Sequence, residues 1–210
     1  MDLPSQIEPI PLPDVLRPAK LAFLPQWLEA RCERLRTETQ PDKCGRYRQV
    51  PVLPRDQIPT STEACWISKH GAALDNALAM TPEAGYQHAE QTALAIGKML
   101  LSLPSREGGE MAMEAKSEAY MAALDDLPFW AVQEAVRRWY RGDCDKKHDC
   151  RWQPAPAVLR ELAFMEFSRV RSVRRKLTKL LEAEPLIEFD QAHSESMKAR
   201  VDAAGLLRTR

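Results

Sequence analysis

The fold is decided by Asp125-Asp126-Leu127-Pro128-Phe129-Trp130-Ala131-Val132-Gln133-Glu134-Ala135-Val136-Arg137-Arg138-Trp139-Tyr140-Arg141-Gly142. Asp126 ahead of Leu127-Pro128 is a cap-plus-proline helix start, because the first helical N–H groups have no intrahelical acceptor and proline lacks one. Phe129, Val132, Val136, Trp139 and Tyr140 then recur at helical spacing and define a stripe to be buried. Gly142 ends the segment, since only glycine enters the left-handed region without a Cβ penalty. The pattern predicts a helix over 128–141.

The same reading extends outward. Upstream, residues 109–125 predict a helix with Met113, Tyr120, Met121 and Leu124 on one side. Glu110, Glu114 and Glu118 form an acidic row on it at i, i+4, i+8. Before it, Thr81-Pro82-Glu83 is a capped start for a helix over 82–103, with an apolar face of Ala93, Ile96, Gly97, Leu100 and Leu101. Downstream, Pro156 opens a helix over 156–182, with no breaker before Pro185. Leu159, Leu162, Ala163, Phe167, Val170, Val173, Leu177 and Leu181 keep its spacing. A weaker helix over 191–207 closes the chain.

The first third reads differently. Ten of the 16 prolines lie in residues 1–60, and proline removes donors and breaks helices. One helix interrupts this region, from Leu24 to about Thr37, carrying Leu24, Leu28, Cys32 and Leu35 with Trp27 beside them. Gln40 to Pro59 reads as a linker or a wrapping chain. Val50-Pro51-Val52-Leu53-Pro54 is the nearest approach to a strand, and its prolines argue against one. The expected fold class is all-α: a small helical bundle over 62–184 with a long C-terminal helix. A Pro-rich N-terminal extension with one short helix (1–61) precedes it and a tail (185–210) follows.

Composition narrows the function. Lys+Arg and Asp+Glu are both 30 in 210 residues, which argues against a uniformly basic coat and an acidic disordered tail. Eight glycines make a Gly-rich phosphate loop an unpromising expectation. The N-terminus has no basic n-region or apolar h-region, and no apolar run nears the ~18–20 residues of a membrane span. The expectation is a cytoplasmic protein, off the membrane. Five cysteines, an odd number, do not suggest a disulfide framework, so reduced thiols are expected.

Cys144-Asp145-Lys146-Lys147-His148-Asp149-Cys150 places two sulfurs and an imidazole in seven residues. Zinc accepts such donors, but structural knuckles have gaps of two to four residues, not five. Cys65 and His70 stand five apart, too far for one helical face at i, i+4. No G-x-S-x-G, H-E-x-x-H or P-loop spacing occurs. The expectation is no enzyme, no catalytic residue, no metal and no cofactor.

Charge distribution says more than its total. Residues 106–136 carry two basic and seven acidic side chains, residues 137–179 thirteen and five, and residues 180–196 none and five. Trp139, Tyr140 and Trp152 interleave with the basic segment. Phosphate neutralisation with aromatic stacking is the physics of single-strand binding. Arg137, Arg138, Arg141, Arg171, Arg175 and Lys179 are the candidate partner or nucleic-acid contacts. The last three fall at i, i+4, i+8, a solvent-facing row unless the acidic row pairs with it.

The run Ala119-Tyr120-Met121-Ala122-Ala123-Leu124-Asp125-Asp126-Leu127-Pro128, then Trp130-Ala131-Val132, Ala135-Val136-Arg137-Arg138-Trp139, Trp152-Gln153-Pro154-Ala155-Pro156 and Leu159-Arg160-Glu161-Leu162, resembles small phage and prophage proteins. It is similar to the N-terminal domain of phage replicative-helicase loader/inhibitor proteins, over residues 90–165. Pro154-Ala155-Pro156 stands where that family has a Pro-Ser/Thr step, and the first 80 residues have no counterpart. The resemblance implies a non-enzymatic phage or prophage adaptor whose protein partner is a replication component, the replicative helicase foremost. No matched motif position defines helicase-binding residues. The alternative is a nucleic-acid-binding helical protein that uses the basic segment 137–179 directly.

Overall fold

The computed structural model describes residues 17–41, 44, 46–79, 86–105 and 110–186. Two compact units emerge, one from residues up to Glu33 with Pro59–Leu181, the other from Arg34–Ile58 with the residues after Leu181. The chain thus changes unit after positions 33, 58 and 181, against divisions expected at 61 and 184.

The first unit is helical. A 3-10 turn at Pro18–Ala22 precedes α1 (Gln26–Arg34), and then come α2 (Ser61–Ala79), α3 (Tyr86–Ser102), α4 (Glu110–Leu124), α5 (Phe129–Tyr140) and α6 (Pro156–Leu181). The mainly helical class expected from the sequence is what the structure has, and α3 to α6 match the expected spans closely. The Thr81-Pro82-Glu83 cap, the proline run of residues 4–13 and the 191–207 helix lie outside the described residues.

Helix α2 was not expected as a separate element. Thr60 starts it with a capping box: its Oγ1 hydrogen-bonds Glu63 at 2.9 Å, and the Glu63 carboxylate accepts the Thr60 N–H at 2.8 Å. Arg31 of α1 reaches the other Glu63 oxygen at 2.9 Å. Burial works against the Glu63 charge, but the Arg31 and Thr60 bonds together hold its carboxyl below the ordinary 4.5. Trp27 of α1 meets Trp66 edge-on at 5.9 Å, so an aromatic contact joins the Arg31–Glu63 pair between α1 and α2.

The core runs along α5 and α6. Trp130, Ala131, Val132, Ala135, Val136 and Trp139 are buried on α5; Leu159, Leu162, Ala163, Val170, Val173, Leu177 and Leu180 are buried on α6. Tyr140, Leu181 and Leu101 are among the expected core positions that are exposed instead. Tyr140 turns out to bond Ser102 at 2.7 Å, Leu180 replaces Leu181, and Leu101 faces solvent while Thr92, Ile96 and Met99 are buried. Each is one step around the helix from its expected neighbour, an error of about 100°.

Side chains close the helix ends. The Trp130 indole donates to the Ala77 carbonyl in the last turn of α2 at 2.9 Å. Gln153 donates to the Leu100 and Leu103 carbonyls at the end of α3 at 2.8 and 3.1 Å. The start of α5 is capped from α3, since His88 Nδ1 accepts the Phe129 N–H at 3.1 Å and Nε2 donates to the Leu127 carbonyl at 2.9 Å. Asp126, the expected cap, pairs with Arg160 at 2.7 Å instead, which holds its carboxyl below the ordinary 3.8. Gly142, at φ +66°, ends α5 in a Schellman turn: Gly142 N–H bonds Trp139 O at 3.0 Å and Asp143 N–H bonds Arg138 O at 2.9 Å.

The second unit corrects the linker reading. Arg36–Pro41 is β1, Tyr47–Leu53 is β2 and Glu184–Pro185 is β3, in the order β1-β2-β3. β1 and β2 pair antiparallel from Arg36–Val52 to Pro41–Tyr47, and β3 adds parallel at Val52 and Leu53 only. At Pro51 the strand therefore has one neighbour, where a missing N–H is tolerated. The small sheet replaces the last turn of the helix expected to Thr37, which stops at Arg34.

Candidate nucleic-acid interface

From Phe167 to Leu181 helix α6 carries six basic residues and no acidic one. Its buried stripe fixes which way each basic side chain points. Arg174 flanks that stripe and turns toward α2, where it grips Asp75 through two bonds of 2.6 and 2.8 Å. That grip holds the Asp75 carboxyl below its ordinary 3.8. Arg171, Arg175 and Lys179 lie on the opposite side and are exposed, with Lys176 beside them. Among the described residues none of these four is in an ion pair, and exposed Glu114 and Glu118 of α4 do not reach them. The expected basic row, about 12 Å long at 1.5 Å per residue, is open to a partner.

The α5 candidates divide. Arg137 is held by Glu134 at 2.6 Å one turn earlier. Arg138 lies 2.9 Å from Glu166 of α6, donates to the Asp143 carbonyl at 3.1 Å and stands 3.6 Å from its carboxylate. Both are held by carboxylates. Arg141 is exposed and lines a cleft of about 600 Å³ that also takes Arg17, Lys20 and Phe23 from the N-terminal segment and Met165 and Arg169 from α6. Arg169 sits 5.1 Å over the Phe23 ring. Sequence reasoning missed Arg17, Lys20 and Phe23 because they follow the proline run. The available signal was Pro18-Ala19-Lys20-Leu21, in which Ala19 and Leu21 are buried and so turn Lys20 outward.

The loop between α5 and α6 corrects the cysteine reading. Cys144 and Cys150 are joined as a disulfide, while Cys32 and Cys65 are thiols outside it. Paired sulfurs offer no thiolate to a metal. Among the described residues no group of three His, Cys, Asp or Glu is placed to hold a metal ion. His148 leans on Trp139, ring centroids 6.0 Å apart. Trp139 in turn donates to the Trp152 carbonyl at 2.9 Å, and Tyr120 donates to Pro154. Interleaved aromatics expected beside the basic segment thus separate: Trp139 is core and Tyr140 is at the surface.

No helix among the described residues is long and apolar enough to cross a membrane. Comparison with known proteins returned no matching family model, no matching curated protein and no matching solved structure.

Proposed function

We propose that this chain is a non-catalytic binding protein whose α6 row, Arg171, Arg175 and Lys179, engages the phosphate backbone of nucleic acid. One observation carries the reading. The helix sorts its cations, pinning Arg174 to Asp75 and leaving the row exposed, with no carboxylate partner among the described residues. Free cations spaced along a rigid helix suit a polyanion, because each neutralised phosphate releases condensed counterions.

The test is fluorescence anisotropy of a labelled 20-nucleotide single strand across a salt series. Replacing Arg171, Arg175 and Lys179 with Glu should weaken binding more than tenfold and make the salt slope shallower by roughly 2, at about 0.7 per lost phosphate contact. Unchanged binding in that variant rejects the reading.

A second reading is the phage adaptor that engages a replication component, the replicative helicase being the partner the sequence resemblance suggests. Phe164 and Met165 support it, since 49% and 50% exposure on α6 gives a protein apolar ground beside the cations. A tagged pull-down from the bacterial host separates the two: a helicase captured after nuclease treatment favours the adaptor, and capture abolished by nuclease favours nucleic acid.

A further inference from the structure

The cleft at the end of α5 is a different site from the α6 row, and its lining is better defined. Every carboxylate in it is already engaged. Glu166, 6% exposed, is held by Arg138 at 2.9 Å and faces Arg169 at 3.9 Å. Glu134 is held by Arg137 and Asp143 by Arg138. Arg17, Lys20 and Arg141 have no carboxylate partner among the described residues, so three cations face one cavity uncompensated. Beside them Phe23 is 66% exposed and Met165 half exposed. An aromatic ring left open in a charged cleft asks for a ligand with a flat apolar part as well as an anionic one.

We infer that this cleft binds a nucleotide with a terminal phosphate, the phosphate on Arg17, Lys20 and Arg141 and the base against Phe23 and Met165. A volume of about 600 Å³ suits a molecule of that size, within the roughly 300–1,000 Å³ usual for small-ligand sites. Guanidinium groups bind phosphate oxygens in a forked, charge-assisted geometry. Arg169 over Phe23 and Glu166 behind Arg138 fix the walls before any ligand arrives, which lowers the ordering cost of binding. The phosphate source is either a free nucleotide or the 5′ end of a strand.

Calorimetric titration of the full chain with dTMP, thymidine and inorganic phosphate tests it. dTMP should bind at least tenfold more tightly than thymidine. A Lys20→Ala/Arg141→Ala variant should lose that preference with its melting temperature unchanged. Phe23→Ala should weaken dTMP but not inorganic phosphate. A thymidine octamer with a 5′-phosphate, compared with its 5′-hydroxyl form, identifies the source: a tenfold gain assigns the strand end, and no gain beside tight dTMP assigns the free nucleotide. The Arg171/Arg175/Lys179 reversal should leave dTMP binding intact, so failure of the row and failure of the cleft are told apart. Equal binding of dTMP and thymidine, or no binding of either, overturns the inference.

Discussion

Arg138 Nη1 lies 2.9 Å from Glu166 Oε1 and ties the end of α5 to the middle of α6. Glu166 is 6% exposed, so Arg138 compensates a carboxylate taken out of water. Arg138→Ala should destabilise the fold by about 2–4 kcal/mol in a urea titration, somewhat under the cost of orphaning a fully buried charge. Arg138→Met with Glu166→Leu should recover much of the loss, because the apolar pair leaves no stranded charge. A loss below about 0.5 kcal/mol for the single variant would free Arg138 for a contact role.

His70 gives the unit a pH dependence. Its Nε2 donates to the Leu21 carbonyl at 2.8 Å, its ring stacks on Trp66 at 4.9 Å, and its Nδ1 is buried with no hydrogen-bond partner among the described residues. Burial pushes its pKa below the ordinary 6.5, and the Leu21 bond only partly opposes that. The unfolded chain therefore takes up a proton at a higher pH than the folded one. Stability is full above pH 6.5 and falls as pH drops through the folded pKa. Paired carboxylates such as Glu63 and Asp75 titrate lower, so the slope just below pH 6.5 reports His70. His70→Gln keeps an N–H for Leu21 and should flatten it. Denaturant titrations at pH 7.5, 6.5 and 5.5 measure the effect, and an unchanged slope would assign it elsewhere.

What the sequence made legible follows physical range. The α5 stripe Val132, Val136, Trp139 and the α6 row Arg171, Arg175, Lys179 were readable because both rest on a 3.6-residue period within one helix. The Thr60–Glu63 capping box is equally local, but it stands directly behind Pro59 and the Pro-rich stretch that masks it. His88 capping α5, Gln153 closing α3 and Trp130 closing α2 were not readable, since each joins residues at least 41 positions apart. The hairpin Arg36–Leu53 was hidden by Pro41, Pro51 and Pro54, which argue against a strand unless one side of it is unpaired. The cleft escaped notice because Lys20 and Arg141 meet only in the fold.

Trp139 is 3% exposed and bonds the Trp152 carbonyl. Trp139→Ala should cost about 3–5 kcal/mol by emptying an aromatic site. Trp139→Phe, which keeps most of the volume and strands that carbonyl, should cost about 1–3 kcal/mol. Thermal melts order the three proteins, and equal melting temperatures would contradict the packing described for α5.

The Cys144–Cys150 bridge spans six positions. Closing so short a loop restricts the unfolded chain by at most about 2 kcal/mol. Reduction, or Cys144→Ser with Cys150→Ser, should lower stability by no more than that and alter the fluorescence of Trp139, which touches His148 in the loop. A larger loss would show that the loop carries packing beyond its connection.

Arg174 and Arg175 are chain neighbours with opposite fates, and they provide the sharpest separation of structure from binding. Arg174 grips Asp75 with two bonds, hydrogen-bonds Thr178, and its guanidinium lies 3.7 Å from where a Cβ on Gly71 would stand. The pair is partly exposed, 28% and 53% by side chain, so screening limits its worth to about 1 kcal/mol. Arg174→Ala should lose roughly that amount, plus packing of its stem over α2, and leave strand affinity within about twofold, since its charge is already neutralised by Asp75. Arg175→Ala should do the reverse. Its melting temperature should stay at wild type because no described residue pairs with it, while affinity for a single strand falls severalfold and the salt slope drops by about 0.7. Measuring both variants by thermal melt and anisotropy in one buffer yields a crossed pattern if α6 sorts its cations. If Arg175→Ala leaves affinity and slope unchanged, the exposed row is a solvated face, and nucleic-acid binding by α6 is rejected.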